Sequence, residues 1–377
     1  MTVEVKSLSK IYQVGSSEEL AVDGIDFEIG PNEFFTLVGP SGCGKSTTLR
    51  CIAGLETPTS GQILVDGEDV TQTAPNNRGL AMMFQDIALY PHMNVVENIA
   101  YPLKVRGVDE AERQERAREV AELMQIPELL NKYPGELSGG QRQRTAIART
   151  IVYNPSALLM DEPLSDLDAQ LKVEIRKEIQ RIHERAGVPT IYVTHDQSEA
   201  LSMSDRIAVM NDGTVMGIGS PDALYESPEN TFVAAFIGNP SMNFVPASLG
   251  DGGSDRVEID LDGEQTEREL IEGRPSGTDV EVGIRPEGVD VLPDPDAGKL
   301  TGTLELIERI GDRRLATVDS PHGEIRALNL GTDALQEGSR VSVSFEWTDV
   351  HLFDGASGDA LAHPIADVQR SEPTESV

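Results

Sequence analysis

The stretch FFTLVGPSGCGKSTTLRCIAGL, residues 34–55, is the most informative part of this chain about its fold. It begins with an apolar run typical of a buried strand, passes through a glycine-rich loop, and continues with apolar residues at helical spacing. A strand that leads into a helix through the pattern GxxxxGK[ST] forms a phosphate-binding loop. The stretch therefore predicts an α/β domain that holds the phosphates of a nucleotide.

The glycines of this loop have a physical role. Gly39, Gly42 and Gly44 let backbone N–H groups converge on a phosphate without obstruction by a Cβ atom, and the following helix presents its positive end to the anion. We expect Lys45 to reach the β- and γ-phosphates and the Ser46 hydroxyl to bind Mg²⁺. The nucleotide-binding residues predicted in this loop are Gly39, Pro40, Ser41, Gly42, Cys43, Gly44, Lys45, Ser46 and Thr47.

A second apolar run, ALLMDEP at residues 157–163, ends in two carboxylates. Asp161 is suited to holding Mg²⁺, and Glu162 to polarising a water that attacks a phosphate. A hydrophobic strand that ends in Asp-Glu is often only an exposed strand end. Because this one follows a phosphate loop, we interpret both carboxylates as parts of a catalytic site.

The segment LSGGQ at residues 137–141 precedes a helix-like run and predicts another anion site. A hydroxyl, exposed N–H groups and the helix dipole all point the same way at such a helix start. Two phosphate-binding segments in one chain are explained if two chains face each other. Each nucleotide then lies between the phosphate loop of one chain and the LSGGQ segment of the other. This segment adds Ser138, Gly139, Gly140 and Gln141 to the predicted nucleotide-binding residues.

With these motifs the chain resembles the ABC transporter ATPases over nearly its whole length, and LSGGQ is the diagnostic element of that family. The resemblance implies that ATP and Mg²⁺ are bound and that Tyr12 stacks on the adenine ring. It also implies that Gln85 senses Mg²⁺ and the attacking water, and that His195, which ends the run TIYVTH, contacts the γ-phosphate. The predicted catalytic residues are thus Lys45, Gln85, Glu162 and His195, and the predicted metal-binding residues are Ser46, Gln85 and Asp161.

Residues 204–244 and the run VGIRPEGVDV at 282–291 indicate the subfamily, because they resemble the carbohydrate-uptake importers of the maltose-importer ATPase type. This resemblance implies a C-terminal OB-like domain that regulates and dimerises. The implied partners are a second ATPase subunit, either a copy or a close paralogue, two transmembrane permease subunits and an extracellular solute-binding protein. It places the chain on the cytoplasmic face of the cell membrane.

The imported solute is expected to be a pentose, hexose or oligosaccharide, with glycerol-3-phosphate as the alternative. Importers of polyamines, sulfate or iron share much of this layout, but the run GNPSMNF at residues 238–244 favours the sugar and glycerol-phosphate branch. The sequence does not name the solute, because specificity in such importers lies in the membrane subunits and the binding protein.

Two other segments are less decisive. Residues 165–168 match the family's loop that reaches across the dimer, but Asp166 and Gln170 stand where relatives often have Asn and a basic residue. This departure leaves the detail of the cross-dimer contacts open. Residues 86–103 are apolar enough to dock a helix of a membrane subunit, or to form the core of a helical subdomain.

The change in hydrophobic periodicity along the sequence predicts two domains. Apolar runs alternate with helical periodicity up to about residue 235, and segments 109–124 and 166–186 are expected to be surface helices. The runs are FFTLVG (34–39), ILVDG (63–67), LAMMFQ (80–85), ALLMDEP (157–163), TIYVTH (190–195) and RIAVM (206–210). They predict a largely parallel sheet, and later alternating runs predict an all-β region. The expected bounds are 1–235 for an α/β P-loop ATPase domain with a helical signature subdomain, 236–370 for an all-β OB-like domain, and 371–377 for a polar tail.

Composition narrows the function further. The sequence holds 31 Lys and Arg against 64 Asp and Glu, a net charge of −33, which repels phosphate backbones and argues against nucleic acid as a partner. Such acidity is typical of a halophile, with an acidic mesophilic protein as the alternative. We interpret Cys43 and Cys51 as spacer and core rather than a redox pair. No apolar run reaches the roughly 20 residues of a membrane-spanning helix.

Two function classes compete with transport. One is an ABC-type clamp that acts on DNA, a ribosome or an assembly scaffold. A single ATPase half without a heptad run argues against it. The other is a P-loop kinase of small molecules, in which the LSGGQ segment would have no role.

Overall fold

The structure is a computed structural model that describes residues 1–83, 89–165, 167–250, 256–261, 264–269, 277–311, 313–331 and 335–364. The chain divides into two compact units, Met1–Pro221 and Asp222–Val377. The strands of the first unit are β1 (Val3–Val14), β2 (Ser17–Ile29), β3 (Phe34–Val38), β4 (Ser60–Val65), β5 (Glu68–Asp69), β6 (Leu80–Met83), β7 (Ala157–Asp161), β8 (Thr190–Thr194), β9 (Arg206–Asn211) and β10 (Thr214–Gly219). Its helices are α1 (Lys45–Ala53), α2 (Val95–Val105), α3 (Glu110–Leu123), α4 (Gly139–Ile151), α5 (Ala169–Ala186) and α6 (Gln197–Met203).

The second unit contains two short helices and a series of strands. The helices are α7 (Pro221–Glu226), which begins at the junction, and α8 (Thr231–Phe236). The strands are β11 (Asn243–Leu249), β12 (Arg256–Leu261), β13 (Glu264–Glu269), β14 (Asp279–Ile284), β15 (Asp290–Leu292), β16 (Leu300–Ile310), β17 (Arg313–Ser320), β18 (Gly323–Ala327), β19 (Asn329–Leu330), β20 (Arg340–Ser344), β21 (His351–Asp354) and β22 (Ala360–Ala362). The polar tail predicted at 371–377 lies outside the described residues.

A sheet of order β10-β9-β3-β8-β7-β6 forms the centre of the first unit. Strands β9, β3, β8, β7 and β6 run parallel, which confirms the parallel sheet predicted from the apolar runs. Every residue of β3, β7 and β8 is buried, as expected for strands covered on both faces. The carboxyl ends of parallel strands meet at one edge, and this edge therefore receives the phosphate loop, Asp161 and His195.

The run at residues 63–67 does not belong to that sheet, contrary to expectation. It lies in β4, which pairs antiparallel with β1 in a separate sheet of order β2-β1-β4-β5. Ile63 is buried while its neighbours on the strand are partly or fully exposed, so β4 covers the core with one face only. A short apolar run does not distinguish such a strand from one buried on both faces.

Helices α2, α3, α4 and α5 surround an apolar cluster that includes Ile99, Ala117, Ile147 and Ile179. The predicted helices 109–124 and 166–186 correspond to α3 and α5. Helix α5 begins three residues later than predicted, at Ala169, because Asp168 is its N-cap and accepts a hydrogen bond from the N–H of Leu171 at 3.0 Å.

Residues 86–103 are expected either to dock a membrane subunit or to form the core of a helical subdomain, and helix α2 bears on this choice. Val95, Ile99 and Leu103 on this helix are buried in the cluster, so they form the core of the helical region. Residues 86–88 lie outside the described residues. Among the described parts of the chain, no helix is long and apolar enough to cross a membrane.

The described strands of the second unit form two sheets, of order β13-β12-β11-β14-β21-β22 and β18-β17-β16-β20-β15-β19. Pairing is antiparallel except between β15 and β19. Val245, Val282 and Leu352 from the first sheet share one apolar core with Leu304 and Val341 from the second. The β-rich C-terminal half predicted from the alternating runs is therefore confirmed.

The boundary between the two units lies at 221/222, earlier in the chain than the domain boundary predicted at 235/236. The reason is that α7 and α8 belong to the second unit. Arg285 holds them there, since its guanidinium donates hydrogen bonds to the carbonyl oxygens of Tyr225, Ala234 and Ile237 at 2.5–3.0 Å. Its carbon atom Cζ also lies 4.1 Å from the centre of the Tyr225 ring. Burial lowers the pKa of Arg285 to about 10.

Candidate nucleotide-binding and hydrolysis site

The phosphate loop joins β3 to α1 and has room only for glycine at two positions. A Cβ atom on Gly39 would come 2.2 Å from the carbonyl oxygen of Met210, and one on Gly44 would come 2.3 Å from that of Ala21. Gly44 also has a φ of 102°, a left-handed conformation that glycine adopts without steric cost. Backbone contacts on two sides thus fix the loop at the carboxyl end of β3. Pro40, Ser41 and Gly42 at its tip are exposed.

The Lys45 side chain lies inside the loop and is only 4% exposed. Its Nζ donates hydrogen bonds to the carbonyl oxygens of Gly39 and Pro40, both at 2.8 Å, and lies 3.7 Å from Sγ of Cys43. Burial raises the pKa of the Cys43 thiol, although the nearby ammonium opposes this. Cys43 and Cys51 are both buried free thiols, which confirms their interpretation as packing residues.

Ser46 and Asp161 meet directly, although they are 115 positions apart in the sequence. The Ser46 hydroxyl donates to Oδ1 of Asp161 at 2.7 Å, and the aspartate is 2% exposed. Burial raises the pKa of Asp161, while the hydrogen bond from Ser46 lowers it. The structure thus pairs two oxygen donors of the kind that Mg²⁺ prefers, next to the phosphate loop.

Glu162 and His195 form a second pair at the same edge of the sheet. Nδ1 of His195 lies 2.9 Å from Oε2 of Glu162, and the histidine side chain is 49% exposed. The Glu162 backbone has a φ of 44°, unusual for a residue with a side chain, and its N–H donates to the carbonyl oxygen of Val193 at 3.0 Å. Such strain persists only where the surroundings impose it, and it is frequent at functional sites.

The LSGGQ segment lies at the start of α4. Ser138 is the exposed N-cap residue, and its Oγ accepts a hydrogen bond from the N–H of Gln141 at 3.3 Å. The Gln141 side chain in turn accepts from the Ser138 N–H at 3.0 Å, which completes a capping box. A Cβ atom on Gly140 would come 2.9 Å from Cδ1 of Leu171 on α5, so Gly140 packs closely against that side chain.

Of the remaining predicted residues, Tyr12 and Thr47 are described by the structure and two others are not. Tyr12 is half-buried on β1, where Nζ of Lys10 lies 4.8 Å from the centre of its ring and Glu19 is its cross-strand neighbour. Thr47, in the first turn of α1, is half-buried. Gln85 and Asp166 lie outside the described residues, so their expected roles stay predictions.

Sequence reasoning missed three residues beside His195, namely Tyr192, Thr194 and Glu199. Both hydroxyl groups donate to the same carboxylate oxygen of Glu199, at 2.7 and 2.8 Å. The sequence signal that could have identified Glu199 is an acidic residue in the first turn of a helix that follows a buried strand. At that position a carboxylate is usually interpreted only as a partner of the helix dipole.

Comparison with known proteins agrees with this geometry. Three family models match: ABC transporter over residues 22–165, MalK OB fold domain over 238–289, and TOBE domain over 282–353. The trehalose/maltose import ATP-binding protein MalK of Thermococcus litoralis is 45% identical over 357 residues, which cover 91% of this chain and 96% of that protein. The chain belongs to the import ATP-binding proteins of ABC transporters. The resemblance drawn from its motifs, and the P-loop fold with a C-terminal OB-like region, are thereby confirmed.

Other relatives of this ABC ATPase have similar coverage. The xylose/arabinose import ATP-binding protein XacJ of Haloferax volcanii is 43% identical over 360 residues, 91% of this chain and 92% of that protein. The sn-glycerol-3-phosphate import ATP-binding protein UgpC 1 of Rhizobium johnstonii is 41% identical over 345 residues, covering 91% and 93%.

Among solved structures, the ABC ATPase is similar to a dimeric post-hydrolysis state of the ATP-binding cassette MJ0796 bound to ADP and Pi. The TM-score is 0.53 at 31% sequence identity, and the match covers 58% of this chain and 98% of that one. The fold of a complete ATP-binding cassette is therefore present in this chain. As a member of this family, the chain binds ATP.

Proposed function

We propose that this ABC ATPase works as a dimer, in which hydrolysis of two bound ATP molecules drives uptake of a carbohydrate through membrane permease subunits. The observation that carries the proposal is the meeting of the Glu162–His195 pair, the Ser46–Asp161 pair and the phosphate loop at one edge of the sheet. A base, a metal-binding pair and a phosphate cradle are the parts that phosphoryl transfer to water requires.

The phosphate loop binds the triphosphate in this proposal. Backbone N–H groups of residues 39–47 and the start of α1 receive the β-phosphate, since both favour negative charge. Lys45 exchanges its hydrogen bonds to the Gly39 and Pro40 carbonyls for bonds to the β- and γ-phosphates. Tyr12 stacks on the adenine ring.

Mg²⁺ fits the pair formed by Ser46 and Asp161, because both present oxygen atoms and the aspartate is buried without a described ion-pair partner. When bound, the ion neutralises charge that develops between the β- and γ-phosphates. Gln85 is proposed as a further ligand. The buried Asp161 carboxylate would gain a counter-ion there, which would offset the cost of keeping its charge away from water.

Glu162 acts as the general base in this mechanism. Its carboxylate takes a proton from the attacking water, whose oxygen bonds to the γ-phosphorus as the bond to ADP breaks. Because the carboxylate only accepts hydrogen bonds, Nδ1 of His195 must be the donor of the 2.9 Å bond between them. A hydrogen bond from Nε2 to a γ-phosphate oxygen would then place the His195 ring between the base and the transferred group.

A second copy of the chain, or a close paralogue, completes each site. Ser138, Gly139, Gly140 and Gln141 are proposed to serve the nucleotide bound to the other subunit, since the exposed helix start offers N–H groups and a positive dipole end. Two permease subunits attach the dimer to the cytoplasmic face of the membrane, and an extracellular binding protein delivers the solute. Nucleic acid is not a partner in this proposal, in keeping with the net charge of −33.

The proposed cargo is a pentose, hexose or oligosaccharide. Relatives with similar identity and coverage are named for trehalose/maltose and for xylose/arabinose import, which supports a sugar. A relative named for sn-glycerol-3-phosphate import is nearly as similar and supports that solute as the second candidate. A halophilic source is proposed from the acidic composition, and one similar relative comes from Haloferax volcanii.

Solute uptake tests the proposal directly. Cells carry the wild-type chain or its Glu162→Gln form in place of the native copy, and labelled pentoses, hexoses, disaccharides and glycerol-3-phosphate are offered. We expect uptake of one carbohydrate class to be lost. Loss of glycerol-3-phosphate uptake alone would select the second candidate, and unchanged uptake of every solute would contradict both.

A matched variant controls for stability in this experiment. Glu178→Gln changes another largely buried glutamate of the same unit, which pairs with Arg181 at 2.7 Å on α5. It is expected to leave uptake unchanged. Recovery of the protein with a membrane fraction separates a transporter from a soluble clamp.

A further inference from the structure

The carboxylate of Glu199 lies at the centre of a buried hydrogen-bond network. Glu199 is 2% exposed, and its Oε2 accepts the hydroxyl groups of Tyr192 at 2.7 Å and Thr194 at 2.8 Å. Its other oxygen, Oε1, lies 3.5 Å from Nζ of Lys172 on α5. A buried carboxylate is retained only where such partners replace its hydration, so these contacts fix Glu199 in one position.

This network holds the chain on both sides of His195. The Thr194 hydroxyl donates to Glu199 and accepts a hydrogen bond from the N–H of Asp196 at 3.0 Å. The Asp196 carboxylate also lies 3.7 Å from Nζ of Lys172, and accepts from the N–H of Ser198 at 2.8 Å. Residues 194 and 196 are therefore tied to the same buried carboxylate and its counter-ion, while His195 between them faces solvent.

Tyr192 shares the carboxylate oxygen but does not flank His195. Burial, together with the negative charge of Glu199, raises the pKa of the Tyr192 phenol well above its usual value. The phenol therefore stays a hydrogen-bond donor throughout the physiological range. Tyr192 helps to fix Glu199, whereas Thr194 carries the connection to His195.

We propose that Glu199, acting through Thr194, is a positioning residue for hydrolysis, which sets the orientation in which His195 meets Glu162. This inference rests on the proposed function, because it assumes that the Glu162–His195 pair performs the hydrolytic step. The backbone at 194–196 places the imidazole, and the 2.9 Å bond to Glu162 depends on that placement. A displacement of about 1 Å at a reacting group costs on the order of 100-fold in rate.

Two nearly isosteric substitutions separate positioning from simple stabilisation. Thr194→Val and Tyr192→Phe each remove one buried hydroxyl from the same oxygen of Glu199. We expect Thr194→Val to lower kcat for ATP hydrolysis by about 10- to 100-fold with KM changed by less than about twofold. Tyr192→Phe is expected to lower kcat by no more than about threefold. Equal losses of kcat in the two variants would overturn the proposal.

A double-mutant cycle with His195→Ala tests the route through the histidine. If Glu199 and Thr194 act through His195, then adding Thr194→Val to His195→Ala lowers the residual rate no further. If the fold-losses of the two single variants instead multiply in the double variant, then Thr194 has an independent, structural role, and the proposal is overturned. Binding of a fluorescent ATP analogue and thermal unfolding, measured on each variant, show that the proteins compared are folded.

The same cycle distinguishes failure of this inference from failure of the proposed function. His195→Ala that hydrolyses ATP at the wild-type rate would remove the assumed role of the histidine and with it the positioning role of Glu199, while the proposed function would still be decided by the uptake experiment with Glu162→Gln. His195→Ala with a large loss, combined with independent effects of Thr194→Val, would leave the proposed function standing and reject only the positioning role.

Discussion

The two segments of this ABC ATPase that are predicted to bind phosphate differ in how far one chain completes them. In the phosphate loop, Lys45 and Ser46 are bound to other residues of the same unit, and their partners include the buried Asp161. In the LSGGQ segment, Ser138 is exposed, and the one hydrogen bond described for its side chain lies within its own capping box. Within one chain the strand edge is therefore a finished edge, in the sense that its residues are already paired with one another, whereas the helix start at Ser138 stays open.

The sharpest test of this comparison removes the base from the finished edge. Glu162→Gln is expected to lower ATP turnover by about 100- to 10,000-fold, because the amide cannot take the proton of the attacking water. Nucleotide binding should persist, so that the variant with ATP elutes as a stable dimer in size-exclusion chromatography. Phosphate release at close to the wild-type rate would contradict the assignment of Glu162, while Glu178→Gln serves as the control.

Removing the ammonium group of Lys45 should weaken ATP binding, which Glu162→Gln leaves intact. Lys45→Ala is expected to weaken ATP binding by about 10- to 100-fold, the range for loss of hydrogen bonds that involve a charged donor. Titration with a fluorescent ATP analogue measures this loss. Lys177→Ala removes an exposed ammonium from α5 and should leave the affinity unchanged. An unaltered affinity of Lys45→Ala would show that the ammonium stays on the Gly39 and Pro40 carbonyls when ATP binds.

The open segment should respond differently. Ser138→Ala is expected to leave ATP binding by the isolated chain within about twofold, while it weakens ATP-dependent dimerisation by about tenfold through the loss of one hydrogen bond to a charged phosphate. It also removes an N-cap, at a cost of about 1 kcal/mol in the free energy of unfolding.

A second N-cap separates these two effects of Ser138→Ala. Asn94 caps α2 with the same kind of capping box, in which its side chain accepts from the Glu97 N–H at 2.9 Å. Asn94→Ala should therefore lower thermal stability by a similar amount and leave dimerisation intact. Equal effects of both variants on dimerisation would mean that Ser138 serves only its helix.

The adenine contact is a smaller contribution to the finished site. Tyr12→Ala should weaken ATP binding by about two- to tenfold, as expected for the loss of one aromatic contact. Tyr12→Phe keeps the ring and should bind like the wild type in the same titration. If both variants bound ATP with unchanged affinity, Tyr12 would be only a packing residue of β1.

The smallest expected effect concerns the charge of Asp161 in the nucleotide-free protein. Burial raises its pKa, so the folded state binds a proton more tightly than the unfolded chain. The stability contributed by this carboxyl is therefore present at low pH and is lost as pH rises through its folded-state pKa. Asp161→Asn should therefore gain thermal stability relative to the wild type as the pH rises from about 4, the ordinary pKa of an aspartate, towards neutrality. A constant difference between the two proteins across that range would mean that burial does not raise the pKa of Asp161.

Much of the candidate site could be predicted from the sequence because its motifs are local. The phosphate loop needs its glycines, lysine and serine within nine positions, and the LSGGQ segment needs its cap and glycines within one helical turn. The buried strands that precede Asp161 and His195 are also recognisable as short apolar runs. The run at residues 63–67 predicts the wrong sheet for its strand, since an apolar run carries no information on which neighbour it pairs with.

The order of residues alone specifies which chemical groups this protein can use: a phosphate loop, a carboxylate pair at a strand end, a helix start with a capping serine and an acidic surface. The tertiary structure decided which of them meet. Ser46 reaches Asp161, Glu162 reaches His195, and Glu199 ties the chain on both sides of that histidine. The physical reason is that parallel strand order brings distant carboxyl ends to one edge, and burial then requires every polar group there to find a partner.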